Sequence, residues 1–493
     1  MPALAKPARV NTIPLPPRNG LLGADTDVLV VGGGPAGIGA AVGAARAGAK
    51  TVLVERYGFL GGNATAALVM PLMSFHTQRP TFEKHGITNL LPTDHGPGHP
   101  VIAGVVKELL ERLVGSGGAI APSIKTGYVV PFDPEIFKLA TLQLLDDAGV
   151  QFLFHAFASD VLGKGKVEGA VFETKSGPVV IKARCVVDCT GDGDLAAAAG
   201  APYRVGRDSD GLVQPMTLMF RMGEFEQAAF QAYAAAHPDQ WRGVHGLWDL
   251  VRQATANGEL ELAREDILFF ATPHPREVSV NSTRVTRVLG IDVWDLSYAE
   301  WESRRQLRQL IAFLKKYVPG FANSYAIQSG VNIGVRETRR IVGDYMLSAD
   351  DLLRARKFPD AIARGTYPVD IHNPAGKGTV LKRIPPDEAY DIPLRALLPQ
   401  NVDNLLVAGR CISGTHEALS SYRVMPIAMA TGQAAGVAAA LAAKSRRSPR
   451  EIPVRKVQQE LLRQGADLRL QPTDQNPASR PPAERARPAT TPR

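Results

Sequence analysis

Three short apolar runs organise the chain, and each leads into glycine and then into a run of small residues. They are residues 27–31 (DVLVV), 186–187 (VV, followed by DCTGDGD) and 404–408 (NLLVA). Such runs between turn residues predict buried strands, and Ala and Gly at helical spacing predict closely packed helices. The repeated order of strand, glycine turn and helix predicts an α/β fold with a Rossmann-like parallel sheet built from discontinuous segments.

Between the second and third runs, Trp, Tyr, Phe and charged residues become commoner. We therefore predict an inserted α+β substrate domain at residues 203–395, and an irregular excursion at residues 73–131. Apolar positions that recur every three to four residues predict helices, and shorter apolar runs predict strands. The predicted helices are 35–47, 101–115, 134–149, 297–317, 425–443 and 455–470, and the predicted later strands are 51–54, 150–154, a hairpin over 161–172 and 179–183, 215–221 and 277–281.

The first glycine turn has the pattern G-x-G-x-x-G, formed by Gly32, Gly34 and Gly37. Gly32 permits a tight turn, Gly34 lets the backbone approach a pyrophosphate, and Gly37 lets the helix lie close to the sheet. Glu55 ends the second strand, where a carboxylate can bind the hydroxyl groups of an adenosine ribose. The free N–H groups of the helix N-terminus suit phosphates. Together these features indicate a dinucleotide site; the alternative is an ordinary glycine-rich turn.

Five stretches together resemble the FAD-dependent oxidoreductase family, whose wider relatives include the succinate dehydrogenase and fumarate reductase flavoproteins. The stretches are VVGGGPAGIGAA…VLVE, GGNATAA, VVDCTGDGDLAAAAGAP, GVRETRRIVGDY and NLLVAGRCISGTHEALSSYRVMPIAMATGQAAG, spread over residues 27–440. The resemblance implies FAD as the cofactor. It implies that the cofactor contacts are made by Gly32, Gly34, Pro35, Ala36, Gly37, Glu55, Arg56, Gly62, Asn63, Ala64, Thr190, Gly191, Asp192, Gly409, Arg410 and Met425.

The resemblance also implies a division of the chain, with the isoalloxazine ring of FAD facing residues 409–425. One residue departs from the wider superfamily: many of its members have an acid after the glycine of the final strand, where this chain has Arg410. The flavin-edge contacts of fumarate reductases therefore cannot be copied here. The predicted segments are a disordered leader (1–23), a FAD-binding domain in two parts (24–202 and 396–445), the substrate domain (203–395), a C-terminal helix (446–470) and a disordered basic tail (471–493).

Charge and composition limit the classes of partner that we expect for this chain. The net charge is +8, but residues 445–493 hold 11 Lys and Arg against 5 Asp and Glu, so the remainder is almost neutral. We expect no nucleic-acid partner, because such a partner needs clustered basic residues on a folded face. No apolar run approaches the ~20 residues of a membrane span, so we expect no membrane partner.

Cysteine and histidine usage add two expectations. The three cysteines and the absence of an apolar secretion signal fit a cytoplasmic protein, with Cys185 and Cys189 as buried free thiols. His95 and His99 have a spacing that metal sites use, but no Cys or acidic cluster accompanies them. We therefore predict no metal.

Three residues are the catalytic candidates. Arg423 follows the third strand in a polar loop and could bind the flavin or a substrate carboxylate; the alternative is a structural pair with Glu417. His416, in the same loop, could carry a proton. His372 is a third candidate, although a loop histidine is often merely exposed. The charged run 336–340 (RETRR) could form structural salt bridges or line the substrate pocket.

The predicted function is hydride transfer between a small organic substrate and N5 of FAD. The alternatives are an oxygen-using flavin oxidase or hydroxylase, and a flavin-bearing protein that modifies nucleic acid. No second G-x-G-x-x-G in a strand–helix context follows residue 37. Electrons are therefore expected to come from the substrate, or from a separate donor or acceptor.

Overall fold

The computed structural model describes residues 5–7, 12–78, 90–91, 98–123, 126 and 128–469. The predicted tail 471–493, His95 and part of the predicted excursion lie outside the described residues. The strands are β1 (Leu21–Val31), β2 (Thr51–Val54), β3 (Pro71–Leu72), β4 (Val130–Pro131), β5 (Gln151–Leu153), β6 (Phe157–Leu162), β7 (Gly169–Thr174), β8 (Gly177–Asp188), β9 (Tyr203–Val205), β10 (Phe220–Gly223), β11 (Trp241–Arg242), β12 (His245–Gly246), β13 (Ile267–Ala271), β14 (Val278–Val280), β15 (Tyr325–Ser329), β16 (Arg339–Ile341), β17 (Ala361–Gly365), β18 (Val369–His372), β19 (Thr379–Lys382), β20 (Tyr390–Pro393) and β21 (Leu405–Val407). The helices are α1 (Pro35–Arg46), α2 (Val105–Gly115), α3 (Pro134–Asp147), α4 (Asp194–Ala198), α5 (Gln227–Ala236), α6 (Trp248–Ala256), α7 (Val293–Tyr317), α8 (Ala349–Leu353), α9 (His416–Tyr422), α10 (Met425–Ser445) and α11 (Val454–Arg463).

The central sheet has the order β5-β2-β1-β8-β7-β6, with β21 beside the C-terminal end of β8. The strands β5, β2, β1, β8 and β21 are parallel, whereas β7 and β6 are antiparallel. The pairing register places Val31 and Val407 on either side of Asp188. The predicted parallel sheet is confirmed, and its three glycine turns leave it side by side.

Helices α1 and α10 pack closely against each other through small residues. A Cβ on Gly432 would lie 1.9 Å from the carbonyl oxygen of Ala36, and one on Gly436 would lie 2.0 Å from that of Ala40. Neither contact leaves room for a side chain, which explains why both helices are rich in Gly and Ala. The apolar burial of β1 completes this core, because Val28, Leu29 and Val30 are all 0% exposed.

Within the described residues, α10 is the helix that is long and apolar enough to span a membrane by length and composition. Its most apolar segment is 89% buried inside the protein. The helix packs against α1, α2, α11 and the central sheet. It therefore lies in the core of the fold, which is a common place for so apolar a helix.

A second sheet, in the order β11-β12-β13-β14-β10-β15, lies wholly within the predicted substrate domain. One of its cores is aromatic, with Phe225, Phe230, Trp241, Phe269 and Phe321 all nearly inaccessible to solvent. The rings of Phe230 and Trp241 meet edge to face at 4.8 Å between centroids. The pairs β3–β4, β9–β16, β17–β20 and β18–β19 form small separate sheets.

Several elements differ from the predictions. The strand β1 begins at Leu21, inside the predicted leader, because residues 21–26 pair with the long strand β8. Residues 62–64 form a single 3-10 turn. The region 157–188 forms three antiparallel strands instead of one hairpin. The polar stretch before α10 is not a loop throughout: it contains α9, whose N-terminus Thr415 caps by accepting a hydrogen bond from the Ala418 amide.

Other boundaries shift by a few residues. Helix α2 starts at Val105 after Gly104, which has a φ of 65°. Helix α11 ends at Arg463, and the strand predicted at 215–221 is replaced by β10 at Phe220–Gly223. All three cysteines are free and buried, as expected for Cys185 and Cys189.

Candidate active site

Three glycines with positive φ lie where the parallel strands end: Gly32 (98°), Gly191 (82°) and Gly409 (83°). This backbone region favours glycine over every other residue. A Cβ on Gly32 would lie only 2.5 Å from the carbonyl oxygen of Cys189, so the turns after β1 and β8 are in direct contact. The three turns therefore form one continuous floor outside the carboxyl ends of the strands, where Rossmann-like sheets bind ligands.

A cleft of ≈ 1190 Å³ opens at this floor. Most of the residues predicted to contact the cofactor line it, together with Arg423. Those residues are Gly32, Gly34, Pro35, Ala36, Glu55, Arg56, Gly62, Asn63, Thr190, Gly191, Asp192, Gly409, Arg410 and Met425.

Two residues of the predicted cofactor set do not line the cleft. A Cβ on Gly37 would lie 1.7 Å from the carbonyl oxygen of Gly32, so Gly37 is required for close packing of α1 on β1. Ala64 is 0% exposed within the 3-10 turn, and Ala66 lines the cleft instead. Both predicted residues act through packing.

The N-terminus of α1 forms part of the cleft wall. Gly34 is its N-cap residue, Pro35 follows at the first helical position, and no side chain of the described residues caps the helix. A Cβ on Gly62 would lie 2.9 Å from the Cα of Gly34, so two glycine backbones approach closely here. The N-terminus of α10, at Met425, also lacks a side-chain cap among the described residues. Uncapped N–H groups at both helices suit negatively charged ligand groups.

Glu55 is held by backbone donors at the end of β2. Its Oε2 accepts a hydrogen bond from the Gly33 amide at 2.6 Å, and its Oε1 accepts one from the Tyr57 amide at 2.9 Å. Burial raises the pKa of Glu55, while these two hydrogen bonds oppose the rise. Each oxygen keeps a further lone pair, so contact with ribose hydroxyls stays a prediction.

Asp188 organises the second glycine turn, a role that we did not derive from the sequence. Its carboxylate is fully buried and accepts hydrogen bonds from the Thr190 hydroxyl at 2.7 Å and from the Leu195 and Ala196 amides at 2.9 and 3.0 Å. It thus fixes the turn and satisfies the N-terminus of α4. An Asp two residues before a T-G-D-G-D turn and a short helix was the available signal.

A second cavity adjoins the cleft. Asn63, Val335, Arg410, Arg423 and Met425 line both spaces. His372 and Arg423, two of the three predicted catalytic residues, line the second cavity.

Arg423 pairs with Asp370 and not with Glu417, the partner considered from the sequence. The Nη2 atom of Arg423 lies 3.7 Å from Oδ2 of Asp370, which also accepts a hydrogen bond from the Tyr367 hydroxyl at 2.8 Å. Burial alone would raise the pKa of Asp370, but His372, Arg423 and Tyr367 together lower it well below its usual range. Asp370 is therefore an anion at neutral pH.

His372 is neutral, and its tautomer is fixed by Arg284. The Nη2 atom of Arg284 lies 3.2 Å from Nδ1 of His372. Because a guanidinium can only donate, Nδ1 must accept and the ring proton must lie on Nε2, which is 3.6 Å from Asp370. Burial and the positive charge of Arg336 lower the pKa of His372 to about 4, against the opposing effect of Asp370.

Two further arginines line the second cavity. Arg336 donates to the carbonyl oxygen of Pro215 and to the Thr217 hydroxyl, both at 2.7 Å. Arg410 pairs with Asp192 at 3.1 Å, and its Nη1 atom is buried with no hydrogen-bond partner among the described residues. The run 336–340 therefore divides: Arg336 lines the pocket, while other members form salt bridges.

His416, the third catalytic candidate, lines neither of these two cavities. It is 4% exposed at the start of α9, and its Nδ1 lies 2.8 Å from Oε2 of Glu337. Glu337 is fully buried and also pairs with Arg340. His416 therefore lies in a buried polar cluster, because α9 directs its side chain toward Glu337.

Asp370, Tyr367 and Arg284 were missed from the sequence. Asp370 had a local signal, because positions i and i+2 of a strand share one face and Asp370 stands two residues before His372 in β18. Tyr367 and Arg284 had none: Tyr367 lines the cavity, and Arg284 contacts His372 from a segment far from it in the chain. Within the described residues, no group of three or more His, Cys, Asp or Glu could hold a metal.

Glycine turns at the carboxyl ends of parallel strands, with uncapped helix N-termini beside them, are how Rossmann-like folds bind dinucleotides. The close approach of the Gly34 and Gly62 backbones and the unpartnered Nη1 of Arg410 fit such a charged cofactor. The fold and site therefore define a dinucleotide-dependent enzyme. More particularly, residues 27–461 match the family described as FAD dependent oxidoreductase, and the chain belongs to it. The enzyme is an oxidoreductase whose cofactor is FAD.

Similar proteins match over shorter stretches or at low identity. Dihydrolipoyl dehydrogenase 2, mitochondrial, from Arabidopsis thaliana is 37% identical over 70 residues, 13% of this chain and 14% of that protein. Dihydrolipoyl dehydrogenase from Trypanosoma brucei brucei is 41% identical over 68 residues, 12% of this chain and 14% of that protein. The chain thus spans about one-seventh of the length of the curated relatives it matches.

Solved structures resemble the chain weakly. A geranylgeranyl bacteriochlorophyll reductase-like protein from Thermoplasma acidophilum has a TM-score of 0.43 and 14% identity, over 90% of this chain and 85% of that one. The flavin-dependent brominase Bmp2 has a TM-score of 0.44 and 13% identity, over 88% of this chain and 83% of that one. At this level of similarity, neither protein says anything about the reaction of this chain.

Proposed function

We propose that the enzyme transfers a hydride between N5 of FAD, bound in the cleft, and a small organic substrate bound in the second cavity. The observation that carries the proposal is the shared wall, because Arg423 and Met425 line both spaces. When bound, FAD supplies a two-electron acceptor or donor. The chain supplies binding, orientation and charge.

Different residues of the cleft fit different parts of the cofactor. Gly34 and Pro35, at the N-terminus of α1, would hold the pyrophosphate, and Glu55 would meet the adenosine ribose. The uncapped N-terminus of α10 at Met425 would stabilise negative charge on the reduced ring system. Arg423 would bind the substrate or the same negative charge from the shared wall.

We assign proton handling to His372 rather than to His416, because His372 lines the cavity. In the present arrangement Nδ1 of His372 accepts a hydrogen bond from Arg284, and its Nε2–H lies 3.6 Å from Asp370. The Nε2–H would orient groups in the cavity. Proton uptake at Nδ1 would require Arg284 to release that atom, so the Arg284–His372 contact controls when the imidazole can act as a base.

The deciding experiment is an anaerobic screen of candidate metabolites for bleaching of the flavin absorbance. Hydride transfer from a substrate should bleach the flavin without any further protein. Reoxidation of the reduced enzyme in air then separates this proposal from an oxidase or hydroxylase, in which oxygen would react rapidly and productively. A separate electron donor or acceptor becomes necessary if no small molecule reduces the flavin and no oxygen is consumed.

The remaining parts of the proposal concern the cellular compartment of the enzyme and its partners. We place the enzyme in the cytoplasm, as its three free cysteines suggest. The nearly neutral chain before residue 445 speaks against a nucleic-acid substrate, and salt-sensitive RNA binding would contradict this view.

A further inference from the structure

We propose that the second cavity selects a monocarboxylate with an apolar body. The inference rests on the proposed function, because it names the substrate class of that cavity. Two features of the wall carry it: a positive charge with no matching anion, and an apolar surface formed by different segments of the chain.

The charges on the wall do not balance. Arg336, Arg410 and Arg423 line the cavity, and Asp370 is the carboxylate among its described lining residues. Asp192, which lines the neighbouring cleft, matches Arg410 at 3.1 Å. Two guanidinium groups therefore face one carboxylate, and His372 is neutral.

Neither of the two remaining arginines is fully engaged by an anion. Arg336 donates to a backbone carbonyl and a hydroxyl, both of which are neutral. Arg423 lies 3.7 Å from Asp370, and its Nε atom is buried with no hydrogen-bond partner among the described residues. An unmatched buried cation is unfavourable, and a carboxylate is the ligand group that a guanidinium binds best.

Behind His372, Arg284 adds positive charge. It is 5% exposed and donates to the carbonyl oxygens of Gly376 and Gly378, at 3.1 and 3.4 Å, as well as to His372. Burial and the nearby Arg264 lower the pKa of Arg284 to about 10, and burial with Arg423 lowers that of Arg336 to about 9. Both remain cations at neutral pH, so the cavity favours an anion.

The apolar part of the wall limits where that charge can lie. Val69, Pro71 and Met73 come from one segment, and Met219 and Val424 come from two others. None of these side chains can pair with a second carboxylate, which would be desolvated without compensation. Methionines adapt to apolar groups of varied shape. The wall therefore fits one carboxylate joined to an alkyl or aryl body better than it fits a dicarboxylate.

The test measures the equilibrium binding of three probes to the oxidised, FAD-loaded enzyme. Calorimetry and the perturbation of the flavin spectrum both report this binding. The probes are 4-methylpentanoate, its amide, and succinate. We expect the monocarboxylate to bind at least about 10-fold more tightly than either of the others. Equal binding of the amide, tighter binding of succinate, or no binding of the monocarboxylate would overturn the inference.

Variants separate the two features of the wall. Arg336→Met should weaken 4-methylpentanoate and acetate alike, whereas Met73→Gln should weaken 4-methylpentanoate and leave acetate unchanged. Glu417→Gln is the control, because Glu417 lines neither cavity. If Met73→Gln weakens both acids equally, the apolar wall does not select the body.

The experiments distinguish a failure of this inference from a failure of the proposed function. Selective binding of the monocarboxylate without flavin reduction by any acid, alcohol or amine would keep this inference and reject hydride transfer. Flavin reduction by neutral compounds, with no carboxylate binding, would do the reverse.

Discussion

The guanidinium of Arg423 faces the carboxylate of Asp370, with Nη2 3.7 Å from Oδ2. This distance is longer than a hydrogen bond, whereas the Tyr367 hydroxyl approaches the same oxygen to 2.8 Å. Asp370 is therefore held mainly by Tyr367 and orients Arg423 without engaging its donors. Arg423 keeps those donors for a ligand in the wall that separates the cofactor cleft from the second cavity.

The pH dependence of flavin reduction should report His372. Its pKa is lowered to about 4, so it is neutral from about pH 6 to 8 and becomes charged only in acid. We expect a rate of flavin reduction that is flat across the neutral range and falls below about pH 5.

The direction of change in two variants tests that assignment. Arg336→Met should move the acid limb to higher pH, because Arg336 lowers the pKa of His372. Asp370→Asn should move it to lower pH, because Asp370 raises that pKa. Stopped-flow rates across pH check both, and a limb that stays in place in both variants would assign it to another group.

The two histidines should behave differently when replaced. His372→Gln should slow flavin reduction while FAD content and melting temperature stay near those of the wild type. His416→Leu removes a buried hydrogen bond to Glu337 and should lower the free energy of unfolding by about 1–3 kcal/mol. Its rate of reduction per bound FAD should stay close to normal. Slow reduction in a fully folded His416→Leu enzyme would restore the catalytic role predicted from the sequence.

Substitutions at two glycines of the G-x-G-x-x-G motif should have different effects. A Cβ on Gly34 would meet only the Cα of Gly62, at 3.7 Å, so Gly34→Val should fold but place its methyl groups in the cleft. We expect lost FAD and a folded protein. Gly37→Ala forces a Cβ to 1.7 Å from a carbonyl oxygen and should destabilise the fold by about 3 kcal/mol or more.

The readouts for these glycine variants are bound FAD per chain and circular dichroism on heating. Full FAD occupancy in Gly34→Val would show that the pyrophosphate lies elsewhere. A normally stable Gly37→Ala protein would contradict the close packing of α1 on β1.

The strand ends and the cleft could be predicted from the sequence, because the rules that place them are local. Gly32, Gly34 and Glu55 each have a physical role set by their place in one strand–turn–helix unit. The same local rules placed Gly191 and Gly409 at strand ends, and the register of β1, β8 and β21 brings these turns together.

The second cavity could be predicted only in part, because its wall joins segments that lie far apart in the chain. Arg423 and His372 were named as single candidates, but their relation to Asp370, Arg336 and Arg284 depends on tertiary packing. His416 illustrates the opposite case: a conspicuous residue beside the predicted site lies in a buried ion-pair cluster, because α9 directs it toward Glu337. Polar composition alone could not reveal that this stretch is helical.

The most direct test is anaerobic stopped-flow reduction of the FAD-loaded Arg423→Met enzyme by a substrate found in the metabolite screen, with Glu417→Gln as the control. Arg423→Met should retain FAD and slow flavin reduction at least ~100-fold, as expected when a charge-assisted contact of ~3 kcal/mol is lost. Glu417→Gln, which lies outside both cavities, should match the wild type. Near-normal reduction in FAD-loaded Arg423→Met would contradict the placement of the reaction at this shared wall.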